Sequence, residues 1–263
     1  MERLESILTE IGSFVIAVSG GIDSTLLAII AGRTLGVSAE MFHAVSPAVP
    51  ERATQRVREY SHSENWNLTI ANAGEFKDER YILNPIDRCY FCKTNLYSYI
   101  ASQFEGQILS GTNLDDLSDF RPGLKAAEQH TVRHPYVEAG ISKAGIRSIA
   151  NFLGLENLAQ LPASPCLSSR VQTSIPIDAE SLRAIDRIEV AVQKRLKATV
   201  VRCRIRERAI EIELDPDALD RLESDSRADI VELVQSQISS VTNFSTISFA
   251  PYQMGSAFVA MPG

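Results

Sequence analysis

The chain has 263 residues, 44% hydrophobic and 22% charged, with a formal charge of −7. Such figures describe a soluble globular protein of one large domain or two ordinary ones, at roughly 100 to 200 residues per domain. They exclude a broad nucleic-acid surface, which needs clustered Lys and Arg, and no apolar run approaches the roughly 20 residues that span a bilayer. The first residues, Met1-Glu-Arg-Leu-Glu-Ser-Ile-Leu8, carry acids where a signal peptide has a basic segment, so a cytoplasmic location with no membrane and no nucleic-acid partner is expected. Four cysteines in a cytosolic chain of this size point to metal binding, catalysis or burial rather than to a disulfide framework.

Leu4, Ile7, Leu8 and Ile11 fall at helical spacing and predict a first amphipathic helix, with a strand over 14–18 behind it. The strand runs into Ser19-Gly-Gly-Ile-Asp-Ser-Thr25, where Gly20 and Gly21 permit dihedrals and close backbone approaches that other residues do not. A helix opening near Asp23 points unpaired N–H groups and its positive dipole end at that junction. With the hydroxyls of Ser19, Ser24 and Thr25 as further donors, the segment reads as an anion cradle; an ordinary strand-to-helix turn is the alternative. It has neither the Gly-Lys-Ser/Thr ending of a Walker loop nor the three-glycine dinucleotide fingerprint. Leu26, Leu27, Ile29 and Ile30 then suit a helix packed on a sheet. Strands are expected over 39–45, 67–71 and 107–110, and helices over 51–65 and 93–104. The alternation predicts an α/β fold with a doubly wound parallel sheet. Its ligands would sit beyond the C-terminal strand ends, where the loops at Ser19, Ser46 and Gly111 converge. Asp115, Asp116, Asp119 and Arg121 follow in the last of these loops; the aspartates suit Mg²⁺ coordination and helix capping equally.

Farther on, Ser142 is a candidate N-cap for a helix carrying Ile146, Ile149, Ala150 and Leu153 and stopped by Gly154. The stretch 161–170 has no periodicity and reads as a linker that also carries function. Composition changes near residue 175, which suggests one domain over 1–170 and a smaller α+β domain over 171–263. The latter is expected to hold a helix over 178–197, strands over 200–205 and 209–214, a helix over 217–236 and a strand over 241–249. If the two central strands form a hairpin with Ile205 opposite Ile210, then Val201, Cys203, Ile205, Ile210, Ile212 and Leu214 share one face. The other face sets Arg202 opposite Glu213 and Arg204 opposite Glu211. As surface pairs these would be worth under about 1 kcal/mol each; guanidinium forks also suit phosphate.

Cys89 and Cys92 stand in Arg-Cys-Tyr-Phe-Cys-Lys just ahead of the 93–104 helix, and Cys166 lies in the 161–170 linker. A CxxC pair alone can be redox-active, bind zinc or pack. Three thiolates at one centre would leave one iron of a 4Fe-4S cube open to an external sulfide. Zinc held by three Cys and one of His43, His62, His130 or His134 is the competitor. Cys203, on the apolar face of the hairpin, reads as packing.

Ser19-Gly-Gly-Ile-Asp-Ser-Thr25 resembles the pyrophosphate loop (PP-loop) of the N-type ATP pyrophosphatases. With Gly111-Thr-Asn-Leu-Asp-Asp-Leu-Ser-Asp-Phe-Arg-Pro-Gly123, Cys166-Leu-Ser-Ser-Arg170 and Val201-Arg-Cys-Arg204, the chain resembles the LarE family of ATP-dependent sulfur transferases of nickel-pincer cofactor biosynthesis over nearly its whole length. The resemblance implies an adenine nucleotide alpha hydrolase-like PP-loop domain over 1–170, with substrate binding and oligomerisation in 171–263. It implies that ATP with Mg²⁺ adenylates a carboxylate of pyridinium-3,5-biscarboxylic acid mononucleotide, that pyrophosphate leaves, and that sulfur then replaces AMP. Ser19, Gly20, Gly21, Asp23, Ser24 and Thr25 would take the phosphates, and the edge at Ala44 and Ser46 the adenine. Ser169, Arg170, Glu189, Arg202, Arg204 and Glu213 would line the substrate pocket, with Arg121 facing it. Cys89, Cys92 and Cys166 match the positions that hold a 4Fe-4S cluster in one branch of the family. In another branch only the position of Cys166 is a cysteine, and it gives up its own sulfur. The resemblance further implies a sulfur donor, sulfide or a cysteine desulfurase system, and a homo-oligomer. The rival readings are a tRNA thiolase or amidotransferase synthetase of the same superfamily, and a non-catalytic nucleotide- or zinc-binding protein.

Overall fold

The computed structural model describes residues 1–36, 39–118, 122–238 and 243–257, and the chain divides into two units. Unit 1 is Met1–Asp78 with Asp87–Ser164; unit 2 is Glu79–Ile86 with Pro165–Gly263. In chain order the helices are α1 Glu2–Ile11, α2 Ile22–Leu35, α3 Glu51–Ser63, α4 Glu79–Ile82, α5 Arg88–Gln103, α6 Pro122–Gln129, α7 Pro135–Ala139, α8 Lys143–Phe152, α9 Glu156–Ala159, α10 Ala179–Leu196, α11 Pro216–Asp220 and α12 Ser224–Ile238. None of the described helices is long and apolar enough to cross a membrane.

In unit 1 the strands β1 Phe14–Ala17, β2 Ala39–Ala44, β3 Asn67–Ala71 and β4 Gln107–Leu109 form a parallel sheet in the order β3-β2-β1-β4. Alternate residues face opposite layers. Phe14, Ile16, Met41 and Leu109 pack into the core built with α1, α2 and α8, whereas Val15, Phe42 and Ile108 pack with Leu96, Tyr97 and Ile100 of α5 and Ala126 and Ala127 of α6. Strands buried on both faces explain the near-continuous apolar runs in the sequence. α2 buries an unbroken run, Leu26 to Ala31, as a helix enclosed on all sides must. The chain reverses its winding direction between β1 and β4, which makes the C-terminal ends of those two strands the switch point.

Unit 2 carries a mixed sheet in the order β5-β6-β7: Val201–Ile205 antiparallel to Ala209–Leu214, which is parallel to Thr246–Pro251. The hairpin has the expected register, Ile205 opposite Ile210 and Cys203 opposite Ile212. Its apolar face is buried, as are Leu182, Ile185, Ile188 and Val192 of α10 and Ile230, Val234 and Ile238 of α12. Asp178 starts α10 by accepting from the N–H groups of Glu180 (2.8 Å) and Ser181 (3.1 Å), a strong N-cap.

Several boundaries differ from expectation. α5 begins at Arg88 rather than 93, so Cys89 and Cys92 lie on its first turns and not ahead of it. Asn84 at a positive φ of 54° and Pro85 end the preceding turn, leaving Asp87 as N-cap. α6 was not expected: its buried residues are alanines, which carry little periodic signal. The helix expected over 217–236 is two, α11 and α12, with Asp215 capping the first through a bond from Ala218 N. β7 starts at Thr246, later than 241, and residues 239–242 lie outside the described residues.

The switch point is tight. A Cβ on Gly111, just past β4, would come within 2.6 Å of Ser24 N and 2.9 Å of Ser24 Cα, both backbone atoms at the start of α2. Gly111→Ala is therefore expected to cost about 1–3 kcal/mol of stability as an overpacking change, read as a lower urea midpoint; an unchanged midpoint would contradict this approach of the two segments.

Candidate functional site

The turn between β1 and α2 is folded on its own hydroxyls. Ser24 Oγ accepts from Ser19 N at 2.9 Å and lies 3.0 Å from Ser19 Oγ, while Ser19 Oγ accepts from Gly21 N at 3.3 Å. Gly21 is the N-cap of α2, so the N–H groups of the first turn have no carbonyl behind them to bond. Thr25 is turned inward: it is fully buried and its Oγ1 has no hydrogen-bond partner among the described residues. Ala44 ends β2, and Ser46 Oγ accepts from Ala48 N at 3.2 Å in the turn that follows.

Asp23 sits at the centre of a polar network that the sequence did not reveal. Lys143 Nζ lies 2.7 and 2.6 Å from its two carboxylate oxygens, and Asn113 Nδ2 donates to it at 3.3 Å. Tyr136 donates its hydroxyl to the Asp23 carbonyl at 3.1 Å; burial, and then the Asp23 charge, hold its pKa well above the ordinary value, so it stays a donor. Asp115 accepts from Lys143 N at 2.8 Å, and Asp116 accepts from Asn113 N at 3.1 Å within a capping box. Both aspartates thus make capping contacts. Asp119 and Arg121 lie outside the described residues. Lys143 gave one usable signal, its place just after the Ser142 N-cap at a helix start.

Two histidines considered as zinc ligands are engaged elsewhere. His43 is buried between Val18 O (Nδ1, 2.7 Å) and Thr54 Oγ1 (Nε2, 2.9 Å), and His134 Nδ1 lies 2.8 Å from Ser110 Oγ.

In unit 2 the structure gathers Ser169, Arg170, Glu189, Arg202, Arg204 and Glu213, all buried. Arg170, 0% exposed, makes a bidentate pair with Glu189 through Nε and Nη2, both at 2.9 Å. Its Nη1 donates to Pro165 O, Cys166 O and Ser169 Oγ at 2.8, 3.2 and 3.0 Å, bracing the turn that begins at Cys166. Burial works against this charge, but Glu189 outweighs it and the Arg170 pKa is raised. Glu189 also accepts from Cys203 N at 2.9 Å. The surface-pair alternative for the hairpin fails, because Arg202, Arg204 and Glu213 are buried and Glu211 is half-buried. The ion pairs are also displaced one step from the register: Arg204 bonds Glu213 at 3.0 and 2.8 Å, and Arg206 bonds Glu211. Arg202 lies 5.4 Å from the Tyr252 ring centre. Burial first, and then the charge of Arg170, push its pKa down to about 10. Arg170, Arg202, Arg204 and Arg206 are gathered here with Glu189, Glu211 and Glu213, and the charge of Asp186 also acts on Arg170.

All four cysteines are thiols outside any disulfide. Cys89 and Cys92, three apart on α5, share one face of the helix and belong to unit 1; Cys166 belongs to unit 2. Each of the three is half-buried, whereas Cys203 is fully buried and burial drives its thiol pKa far up. Three accessible thiols are the donor chemistry an iron–sulfur centre takes; among the described residues no three His, Cys, Asp or Glu converge as a metal-holding group.

No profile of a known family matches the chain. An uncharacterized protein of Synechocystis sp. is 33% identical over 259 residues, covering 97% of this chain and 95% of that protein. The pyridinium-3,5-bisthiocarboxylic acid mononucleotide synthase of Lactiplantibacillus plantarum is 28% identical over 225 residues, 82% of this chain and 79% of that protein. The chain belongs to the LarE family. An uncharacterized protein of the archaeon Methanocaldococcus jannaschii, 29% identical over 77% of this chain and 78% of that protein, is also similar to this LarE-family chain.

Burial holds the imidazoles of His43 and His134 below their ordinary 6.5. Between that lowered value and 6.5 the unfolded chain binds more protons than the native one, so stability is complete above 6.5 and is lost as pH falls through this window. The thermal midpoint is expected to drop between about pH 7.5 and 5.5 with a smaller slope in His43→Asn; identical slopes would show that His43 does not contribute.

Proposed function

We propose that this chain is an ATP-dependent, AMP-forming sulfur transferase of nickel-pincer cofactor biosynthesis, acting on pyridinium-3,5-biscarboxylic acid mononucleotide. The observation that carries the reading is the glycine- and hydroxyl-lined turn at the switch point, with a carboxylate, Asp23, and an ammonium, Lys143, at its mouth. The similarity to the Lactiplantibacillus protein, a synthase of the bisthiocarboxylic acid mononucleotide, supports the substrate class.

A carboxylate is a poor electrophile because its leaving group would be oxide. In the proposed reaction a carboxylate oxygen of the substrate attacks the α-phosphorus of ATP, and the bond to the bridging oxygen breaks with release of pyrophosphate. The acyl carbon now carries AMP, which a sulfur nucleophile displaces to leave a thiocarboxylate. Ser19, Gly20, Gly21, Asp23, Ser24 and Thr25 form the phosphate side, through backbone N–H groups of the turn and the hydroxyls of Ser19 and Ser24, which need only redirect their present bonds. Asp23 is the residue suited to Mg²⁺, and Ala44 and Ser46 mark the adenine edge. The guanidinium forks of Arg202 and Arg204, with Arg170 beside them, suit the phosphate of the mononucleotide, with Ser169, Glu189 and Glu213 orienting the guanidinium groups and Arg121 as a further substrate residue. Cys89, Cys92 and Cys166 would hold a 4Fe-4S cluster, which when bound supplies an iron open to an external sulfide. That sulfur would come from sulfide or a cysteine desulfurase system, and the enzyme would act as a homo-oligomer in the cytoplasm.

Anaerobically reconstituted protein is expected to bind about four irons per chain and to release pyrophosphate only when both ATP and the bis-acid mononucleotide are present. Cys89→Ser should lose the iron while keeping substrate-dependent pyrophosphate release. Mass spectrometry after turnover should find Cys166 intact; loss of one sulfur at that position would replace the cluster by self-sacrifice, and absence of pyrophosphate would overturn the adenylation.

A further inference from the structure

The phosphate turn is held from a side that its sequence motif does not include. α3 lies across Gly20, where φ is +80° and a Cβ would come 2.7 Å from Ala53 O. Three residues on from Ala53, on the same face of α3, Arg56 reaches back and donates from Nη1 to Gly20 O at 2.6 Å. The bond is short and charge-assisted, the stronger class of hydrogen bond.

A trans peptide is planar, with its C=O and N–H pointing in opposite directions. Fixing Gly20 O on Arg56 therefore fixes Gly21 N–H on the far side of that peptide. There it meets Ser19 Oγ at 3.3 Å, long for an N–H···O bond, so this donor is readily transferred to an anion. Arg56 is also half-buried beside another cation: burial, then the charge of Arg52, lower its pKa. An arriving anion would relieve that repulsion.

We propose that Arg56 is a positioning residue for the phosphate end of ATP, setting the Gly20–Gly21 peptide so that Gly21 N–H faces the phosphates and offsetting their charge. The inference rests on the ATP-dependent reading of the site and adds to it a residue well outside the glycine motif.

A purely architectural role, anchoring α3, is the competing explanation, and α3 has a second anchor for comparison in the bond between His43 Nε2 and Thr54 Oγ1. Calorimetric titrations with inorganic pyrophosphate, Mg-ATP and AMP separate the two. Arg56→Met is expected to bind pyrophosphate and ATP about tenfold more weakly while AMP changes by less than about threefold. Arg56→Lys should recover part of the pyrophosphate loss, and it carries the test if Arg56→Met does not fold: its affinity must fall more for pyrophosphate than for AMP. Thr54→Val, which loosens α3 without touching Gly20, should stay within about twofold of wild type for pyrophosphate. Unchanged pyrophosphate binding in the Arg56 variants, or an equal loss in Thr54→Val, would overturn the inference while leaving the ATP reading intact. Wild-type protein that binds neither ATP nor pyrophosphate would overturn both.

Discussion

Backbone presses on backbone at the turn between β1 and α2, and unit 1 is arranged around that contact. The β4 exit meets α2 at Gly111 and the start of α3 meets the turn at Gly20, with no room for a side chain at either place. Parallel strand order makes this possible. β1 lies in the sheet between β2 and β4, so the loops of three consecutive sheet positions end at one height. The first turn of α2 is then fixed before any ligand arrives, and its N–H groups are aimed by the scaffold rather than by the ligand. Its polar surroundings are the yielding part, since Ser19, Ser24, Lys143 and Asn113 satisfy one another and Asp23 through bonds that a competing anion or cation can replace.

Unit 2 solves a different problem, the burial of guanidinium groups. An unpaired buried charge is costly, and here nearly every direction of Arg170 is used, on Glu189 and on three oxygens of the segment 165–169. Arg170 thereby converts a charge pair into control of the backbone around Cys166. Arg204 and Arg206 share Glu211 and Glu213, and Arg202 lies over the ring of Tyr252. Ionic pairs displaced one step along the strands follow from side-chain length: an arginine reaches the diagonal neighbour more easily than a glutamate reaches straight across.

What the sequence revealed, and what it hid, divides by range. Continuous apolar runs located strands of the parallel sheet and α2, whereas period-two and helical patterns located the hairpin, α8 and α10, which each bury one face. The hairpin register was legible because Ile205 and Ile210 leave one apolar face. Contacts between distant residues were not legible: Lys143 on Asp23 spans 120 positions and Tyr136 on Asp23 spans 113. Nor was the burial of Arg202, Arg204 and Glu213, since alternating Arg and Glu have the same pattern whether solvent or protein covers them. α6 escaped because alanine packs without announcing a hydrophobic stripe, and the start of α5 because Cys and Tyr in its first turns read equally well as loop.

Covering of the hairpin arginines by a later part of the chain has a consequence for the order of folding. Arg204 bonds Gln253 O, Arg206 bonds Ser256 O, and Tyr252 lies over Arg202. β7, which leads into this stretch, pairs parallel to β6 and can join only after α11 and α12 have carried the chain back across the sheet. During synthesis the hairpin therefore emerges with its guanidinium groups still hydrated, and they lose water only when the segment 252–257 arrives. Nonlocal closure of this kind is slow relative to hairpin formation. The arginine-bearing face is accordingly among the last features of unit 2 to mature, and a nascent chain halted before residue 252 would hold its strands without the segment that covers those guanidinium groups.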